Sequence, residues 1–372
     1  MKKILTAALA VMMAVPSLAK DNRNVLEMIN KVNTYWQSHN KAQCRGFWDN
    51  AAYFTGNQEV YNLTHRQEYL DYAMAWAEYN QWQGAREKDP AKWEYRQYGE
   101  DHRHVLFADW QICFQVYIDL YNLAKDSKDA NKYIERAMEV MNYQAETVDG
   151  DYWWWADALY MGMPIFTKLY KVTHNEKLLD KQFQCFVWTD DLLFDKEDHL
   201  YYRDGKYIYP KVKTMCNEGK SFWARGDGWV LAGLAKVLQD LPENSKYRPF
   251  YELRFRQLAE AVAKCQRPGG YWSRGMLCED EAPGYETSGT AFFTYGLLWG
   301  VNNGYLDKSK YRKTIKKAWK YLSEVALQED GSIGYVQPIG ERPDPTRTVD
   351  AHSQAPFGTG AWLLAATEYY KY

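Results

Sequence analysis

Apolar residues recur at helical spacing along nearly the whole chain, whereas the alternation at every second residue that marks a half-buried β-strand is scarce. This pattern predicts an all-α protein of about twelve helices. The expected helices cover residues 24–38, 48–63, 67–84, 108–124, 129–145, 155–172, 176–192, 226–240, 246–265, 288–303, 309–326 and 357–371.

The predicted helices pair into hairpins. An apolar helix end, a short polar turn and a Tyr or Leu that opens the next helix follow one another in EVYNLTHRQEYLDYAMAWAE, DLYNLAKDSKDANKYIERAME and FTKLYKVTHNEKLLDKQFQCF. About six hairpins without a Pro/Gly/Ser-rich linker favour one domain, residues 20–372, folded as an (α/α)6 barrel of six inner and six outer helices. An open solenoid is the alternative, but glycine-rich aromatic loops such as 267–274 suit the mouth of a barrel better.

The first 19 residues have the layout of a secretory signal peptide. Lys2 and Lys3 precede an apolar run from Ile4 to Val15, and small residues end the segment at Ala19. We therefore expect a secreted protein that resides in the periplasm. No later apolar run is long enough to span a bilayer, so no membrane insertion is expected.

The net charge and the cysteine content limit the kinds of molecule that the chain is expected to bind. The chain has 46 Lys+Arg against 48 Asp+Glu, a net charge of −2, which leaves no electrostatic footprint for nucleic acid. Six cysteines without C-x-x-C spacing make a zinc site improbable, and we expect neither a metal nor a cofactor. Cys265 and Cys278 are the first pair to test for a disulfide, although two buried free thiols are the favoured interpretation.

Aromatic residues are abundant, with 31 Tyr, 16 Trp and 14 Phe. Their rings suit sugar-binding clefts, and they also fill cores. The segment DYWWWADALYMGMP is the most informative of the aromatic stretches, because it places one carboxylate, Asp157, among apolar side chains. Burial of such a group raises its pKa unless it is paired, which makes it a candidate for proton transfer. The alternative is that Asp157 caps or pairs near a helix start.

The segment FWARGDGW places Arg225 and Asp227 between glycines that let the backbone approach a neighbour closely. Arg225 can fork onto a carboxylate of a substrate, or it can form an internal salt bridge with Asp227 that shapes the loop. The residues alone leave both interpretations open.

The chain resembles the unsaturated glucuronyl and rhamnogalacturonyl hydrolases of glycoside hydrolase families 88 and 105, the second more closely. The resemblance covers almost the whole chain after residue 19 and rests on FWDNAAYFTGN, WWWADALYM, FWARGDGWVLAGLAKVLQDLP, ETSGTAFFTYGLLWGVNNG and GTGAWLLA. It implies the (α/α)6 barrel. It also implies removal of a 4,5-unsaturated uronosyl residue, galacturonate or glucuronate, from the non-reducing end of oligosaccharides that a lyase has made.

The implied reaction is hydration of the C4=C5 enol ether rather than displacement at C1. One carboxyl group can protonate C4 and then accept a proton from the water that adds to C5, after which the hemiketal opens. By resemblance Asp157 is the catalytic acid/base, and Asp109 of the segment FADWQ assists it or positions the water.

The resemblance also implies substrate-binding residues. Trp155 and Trp229 would be stacking walls and Arg225 would contact the substrate, while Arg203 aligns with a substrate-holding histidine for which His199 is the rival. The further binding candidates are Trp48, Asp227 and His352.

Two residues depart from the family pattern, Trp110 where many members have Asp and Asp227 where many have Asn. Two roles for Asp227 follow. It either competes with the substrate for Arg225, or it orients Arg225 or accepts a hydrogen bond from a sugar, and the second is favoured. Two other functions compete with the hydrolase: a glycan-binding protein without catalysis, and a sugar epimerase, which would need histidines that the Asp157 segment lacks.

Overall fold

The computed structural model describes residues 22–372. The predicted signal peptide, residues 1–19, lies outside the described residues. Helix α1 covers residues 22–39 of the described part. The helices that follow are α2 (Trp48–Thr64), α3 (Gln67–Tyr79), α4 (Ala108–Gln111), α5 (Cys113–Ala124), α6 (Glu135–Glu146), α7 (Ala158–Met161), α8 (Met163–Thr173), α9 (Glu176–Leu193), α10 (Ala224–Asp240), α11 (Arg248–Lys264), α12 (Thr287–Asn302), α13 (Lys308–Tyr321) and α14 (Pro356–Lys371).

Six of these helices form a closed inner ring. Helices α2, α5, α8, α10, α12 and α14 contact one another in this order, and α14 packs against α2. The protein is therefore an (α/α)6 barrel, as predicted. Residues 22–372 contain single β-bridges but no strand.

Burial distinguishes the inner helices from the outer ones. Every residue of α10 from Ala224 to Leu238 is buried, because neighbours surround this helix on all sides. In the outer helix α13 the buried residues include Tyr311, Ile315, Ala318 and Trp319, which recur at the spacing of one helical face. The outer helices thus cover the ring with one apolar stripe each.

Two glycines allow the ring to close between α2 and α14. A Cβ atom on Gly56 would lie 2.3 Å from the carbonyl oxygen of Gly360, and one on Gly360 would lie 2.3 Å from that of Ala52. A side chain at either position would push the helices apart, so this contact requires glycine on both.

The connections differ in length at the two rims of the barrel. Those from an inner helix to its outer partner are short, such as 65–66 and 174–175. Those from an outer helix to the next inner helix are long, and they comprise residues 80–107, 147–157, 194–223, 265–286 and 327–355. The long connections therefore meet at the rim where the inner helices begin.

Two predicted helices are interrupted near this rim. The expected helix 108–124 breaks between α4 and α5, and the expected helix 155–172 starts later and breaks at Gly162 between α7 and α8. A Cβ on Gly162 would lie 2.8 Å from the indole nitrogen of Trp153, so the chain bends there around a buried ring. Within residues 22–372 no helix is both long enough and apolar enough to cross a bilayer.

The favoured interpretation of two free thiols holds for Cys265 and is wrong for Cys278, and the alternative bond between these two cysteines does not form. Cys278 is bonded to Cys216, and Cys265 is a free thiol. The bond joins two of the long connections across 62 residues of sequence. Spacing along the chain could not indicate this partner, because the two connections meet only when the ring has closed.

Candidate active site

A cavity of about 230 Å³ opens at the rim formed by the long connections. The walls come from the first residues of inner helices and from four of the long connections, 80–107, 147–157, 194–223 and 327–355. The lining residues are Trp48, Tyr98, Asp109, Trp155, Asp157, Met161, Arg203, Ile339, Gly340 and Glu341. The predicted residues Asp157, Asp109, Trp155, Arg203 and Trp48 therefore lie together.

Backbone pairing places a guanidinium beside Asp157. Trp155 and Asp204 form an antiparallel bridge, and the Ala156 N–H donates to the Arg203 carbonyl at 2.8 Å. This register brings Arg203 Nε to 3.2 Å from Asp157 Oδ2. Asp157 is therefore paired, although with a residue from a distant connection and not as a helix cap.

The two aspartates have different electrostatic surroundings. Burial raises the pKa of Asp157, and the charges of Arg203 and Arg225 oppose that rise. Burial also raises the pKa of Asp109, to well above its usual range, and the negative charge of Asp157 raises it further. Asp109 has no ion pair among the described residues. Like charges in one cavity do not both ionise readily, so the two carboxyl groups together hold a proton more strongly than isolated carboxyl groups do.

Aromatic rings form the walls around these carboxyl groups. Trp155 stacks on Phe107 with ring centroids 4.6 Å apart, and Trp48 packs against Phe357 at 5.2 Å. Trp229 was also predicted as a wall, but it is completely buried and does not line the cavity. Its ring packs against Trp48 and Phe292, so it supports a wall from behind.

Arg225, which was predicted to contact the substrate, does not line the cavity. Its side chain is completely buried. Its Nη1 donates to the carbonyl of Gln337 at 2.7 Å, and its Nη2 donates to that of Pro338 at 2.8 Å. Loss of hydration lowers the pKa of Arg225 to about 10. Arg225 therefore holds the segment 337–341, which does line the cavity.

Asp227 is also turned away from the cavity. Its Oδ1 accepts a hydrogen bond from the Tyr201 N–H at 2.8 Å, and its Oδ2 has no partner among the described residues. Burial raises the pKa of Asp227 well above its usual range. The position of Asp227 supports neither predicted role, because among the described residues it forms no ion pair with Arg225, and it does not line the cavity. Residues two apart on a helix do not face each other.

The histidines also lie elsewhere. His352 is exposed and does not line the cavity, and its backbone N–H donates to Asp350 Oδ1 at 2.9 Å. The prediction of His352 as a binding residue therefore has no support from its position. His199 stacks on Phe194 with centroids 5.7 Å apart and is likewise outside the cavity. Of the two rivals, Arg203 is the one that reaches the site.

Sequence reasoning missed half of the lining. Tyr98, Met161, Ile339, Gly340 and Glu341 were not predicted, because three of them lie in one connection without any periodic pattern. Glu341 is the most consequential omission. Its carboxylate accepts from the Tyr207 hydroxyl at 2.7 Å and from Lys206 Nζ at 2.9 Å, and it lies 3.4 Å from Arg203 Nη1. This network ties the connection before α14 to the one before α10.

Among the described residues, one acidic group has oxygens close enough together to share a cation: Asp195, Glu197 and Asp198. Lys220 Nζ lies within 2.9 Å of all three carboxylates. An ammonium group thus already binds all three carboxylates and offsets one of their negative charges, and the cluster contributes no residue to the cavity.

Comparison with known proteins places this chain in a family. A model of glycosyl hydrolase family 88 matches residues 22–372, which is nearly all of the chain. The chain belongs to this family. The predicted relationship and the assignment to the glycoside hydrolases are confirmed.

Individual proteins of this family are also similar to the chain. A curated "Unsaturated 3S-rhamnoglycuronyl hydrolase" from Formosa agariphila is 40% identical over 222 residues, which is 59% of this chain. The match spans only 58% of that relative's own length. A solved family 88 glycosyl hydrolase from Bacteroides vulgatus is 51% identical, with a TM-score of 0.90, and covers 94% of this chain and 99% of its own.

A second solved structure, described as a polysaccharide lyase, is 58% identical with a TM-score of 0.90. It covers 95% of this chain and 98% of its own. The two solved relatives therefore share one architecture with this chain but carry descriptions of different reactions.

Proposed function

We propose that this protein removes a 4,5-unsaturated uronosyl residue from the non-reducing end of lyase-generated oligosaccharides by hydration of the C4=C5 bond. The observation that carries this proposal is the carboxyl pair Asp157 and Asp109, buried beside Arg203 in a small cavity. A volume of about 230 Å³ is below the range of about 300–1,000 Å³ typical of larger ligands, and it suits one terminal sugar ring.

The geometry supports separate roles for Arg203 and Asp157. Arg203 is the one cation among the lining residues and faces Asp157, so a uronate carboxylate that enters the cavity would bind to it. The negative charge of that uronate then competes with Asp157 for Arg203. Because Asp157 is less well compensated, the pKa of its carboxyl group rises. The proton that the aspartate pair retains then resides on Asp157, next to the substrate.

The reaction then needs only the substrate, one water molecule and the proton of Asp157. Asp157 donates its proton to C4, and positive charge develops at C5 and the ring oxygen. Water adds to C5 and loses a proton to the Asp157 carboxylate, which restores the acid. The hemiketal opens to a ketone at C5, which leaves a hemiacetal at C1. The hemiacetal then collapses to an aldehyde and releases the remaining sugar as an alcohol. Asp109 keeps the pair partly protonated and orients the water.

The activity for which the Formosa relative is named supports a uronosyl–rhamnose linkage as the substrate. Export to an oxidising compartment, the periplasm, is also part of the proposal. The disulfide Cys216–Cys278 supports it, because such bonds persist in oxidising compartments, and so does the signal-like composition of residues 1–19.

Ultraviolet absorbance of the conjugated C=C–carboxylate tests the reaction. With an unsaturated uronosyl–rhamnose disaccharide, hydration predicts a decay of absorbance and release of free rhamnose. If the absorbance stays constant while the disaccharide binds, the protein is a glycan-binding module instead. The intact, saturated polysaccharide provides the third arm: a rise of absorbance there would identify a lyase.

A further inference from the structure

Arg203 lies in a short extended segment, residues 200–204, that is paired on both edges. On one edge Tyr201 forms an antiparallel bridge with Phe194, directly after α9 ends. On the other edge the segment pairs with residues 155–156. The segment therefore connects the end of an outer helix to the cavity, and its register determines where the Arg203 guanidinium lies.

The side chain of Tyr201 is tied to two outer helices. Its hydroxyl donates to Asp190 Oδ1 of α9 at 2.6 Å, and Asp190 also accepts from Nε and Nη2 of Arg254 of α11, both at 2.8 Å. Tyr201 is 1% exposed and Asp190 is 3% exposed. Hydrogen bonds to a charged acceptor that is shielded from water are stronger than neutral bonds at the surface. The outer helices thus fix the position of the Tyr201 ring.

The backbone of Tyr201 is tied to the inner ring. Its N–H donates to Asp227 Oδ1 of α10 at 2.8 Å. Asp227 is completely buried, and its Oδ2 has no partner among the described residues. Because burial raises the pKa of this carboxyl group, Asp227 resembles in charge and shape the asparagine that many family members have at this position. Asp227 therefore acts as a neutral acceptor for one backbone N–H.

Neither Tyr201 nor Asp227 lines the cavity. Residues two apart in an extended segment place their side chains on the same face, so a shift of Tyr201 moves Arg203 in the same direction. We propose that Tyr201 and Asp227 are positioning residues for the reaction, which hold segment 200–204 in the register that places Arg203 against Asp157. The inference rests on the proposed function, which assigns uronate binding to Arg203 and proton transfer to Asp157.

Loss of this register has two consequences for the reaction. A displaced Arg203 binds the uronate carboxylate less well, so KM rises. It also stabilises the Asp157 carboxylate less, so the pKa of Asp157 rises and the alkaline limb of the kcat/KM profile moves to higher pH. The other charged groups that act on Asp157 are Arg225 and Asp109, and neither belongs to the segment. A protein that is merely less stable shows neither change per folded molecule.

The first test removes the tyrosine hydroxyl. Tyr201→Phe should raise KM about fivefold, lower kcat less and move the alkaline limb to higher pH, because a hydrogen bond to a charged group is lost while the ring remains. Tyr251→Phe is the matched control. Tyr251 is also completely buried, and it joins the same two outer helices through its hydroxyl, which donates to Gln182 Oε1 at 3.4 Å. In this control KM and the limb should stay as in the wild type.

The second test changes the acceptor of the Tyr201 N–H. Asp227→Ala removes the acceptor and should produce the same two changes, whereas Asp227→Asn keeps an acceptor oxygen and should rescue both. The melting temperature of each variant shows whether it is folded. If Asp227→Ala does not fold, Tyr201→Phe, which keeps the buried ring, decides the inference.

The outcomes separate this inference from the proposed function. An unchanged KM and limb in Tyr201→Phe would overturn the role of Tyr201, and the same result in folded Asp227→Ala would overturn that of Asp227. Equal changes in Tyr251→Phe would reduce both roles to general stability. If the wild-type protein does not consume the unsaturated disaccharide, the proposed function fails. A crystal structure of Tyr201→Phe then tests the placement directly, because Arg203 Nε should lie further than 3.2 Å from Asp157 Oδ2, and retention of that contact would contradict the inference.

Discussion

At the scale of single residues, the site depends on how Arg203 is shared. Its Nε faces Asp157 at 3.2 Å and its Nη1 faces Asp204 at 2.8 Å, while Asp109 has no basic partner among the described residues. The one guanidinium therefore favours the carboxylate form of Asp157 over that of Asp109. This asymmetry predicts different consequences for substitution of the two aspartates.

Asp157→Asn should lower kcat at least a hundredfold with the fold retained, because an amide cannot exchange the proton. Asp109→Asn should instead leave measurable turnover and move the alkaline limb of the pH–rate profile to lower pH. The reaction needs an acid, so activity is lost as pH rises through its pKa, and removal of the neighbouring carboxyl group lowers that pKa. Steady-state rates between pH 4 and 9 measure both effects. An Asp109 that only supports the fold would lower the melting temperature and leave the limb in place.

Asp227 gives a prediction about stability. Its pKa is raised in the folded protein, so its contribution to stability is complete below the unfolded pKa and is lost as pH rises through the folded value. Asp227→Asn removes this loss, because the amide oxygen can still accept from the Tyr201 N–H. The variant should gain in melting temperature over the wild type as pH increases, with KM unaltered. Asp71→Asn, on the exposed side of α3, should show no such trend; a gain at low pH alone would contradict the argument.

At the scale of elements, the connection before α14 forms one wall of the site. Residues 339–341 line the cavity, and two kinds of contact hold them: Arg225 from beneath, and the partners of Glu341 from across the cavity. The position of this wall therefore depends on residues that never touch the substrate.

Arg225→Lys should raise KM about tenfold and lower kcat less, because one ammonium cannot span the two carbonyl groups that a guanidinium forks onto. Arg274→Lys is the matched control. Arg274 is also buried and donates to carbonyls of the same connection, at Asp344 and Arg347, beyond the lining residues. Equal changes of KM in both variants would mean that Arg225 acts through general stability and not through the cavity wall.

At the scale of the whole molecule, the inner ring closes where α2 meets α14. Gly56 and Gly360 allow a backbone-to-backbone approach there, and the first wall residue of the cavity, Trp48, begins α2. The packing of α2 against α14 therefore closes the ring and also positions Trp48 in the cavity wall.

Gly360→Ala should destabilise the protein by about 1–3 kcal/mol, since its methyl group would overlap the backbone of α2 and the gain in helix propensity is only about 1 kcal/mol. Chemical denaturation measures the change. Gly205→Ala serves as the control, because a Cβ there meets no atom within 4 Å. A Gly360→Ala protein as stable as the wild type would show that the ring tolerates a wider closure.

The sequence by itself determined the helices, their pairing into hairpins and the two aspartates of the site. These features are local: helical periodicity is read within one segment, and Asp157 stands out because its immediate neighbours are apolar. The family resemblance, and not local pattern, indicated Trp155, which lines the cavity together with the candidate Trp48. It failed for Trp229, because an aromatic residue on an inner helix can face the cavity or the core.

Only the tertiary structure decided which long connections meet at the rim. Arg203 and Glu341 are 138 residues apart in sequence and 3.4 Å apart in space, and Cys216 bonds to Cys278 rather than leaving it free. The tertiary structure also decided that the side chains of Arg225 and Asp227 are buried in the core and do not line the cavity. Closure of the ring sets these contacts, and no short-range pattern encodes them, because irregular connections carry no periodicity from which their neighbours can be inferred.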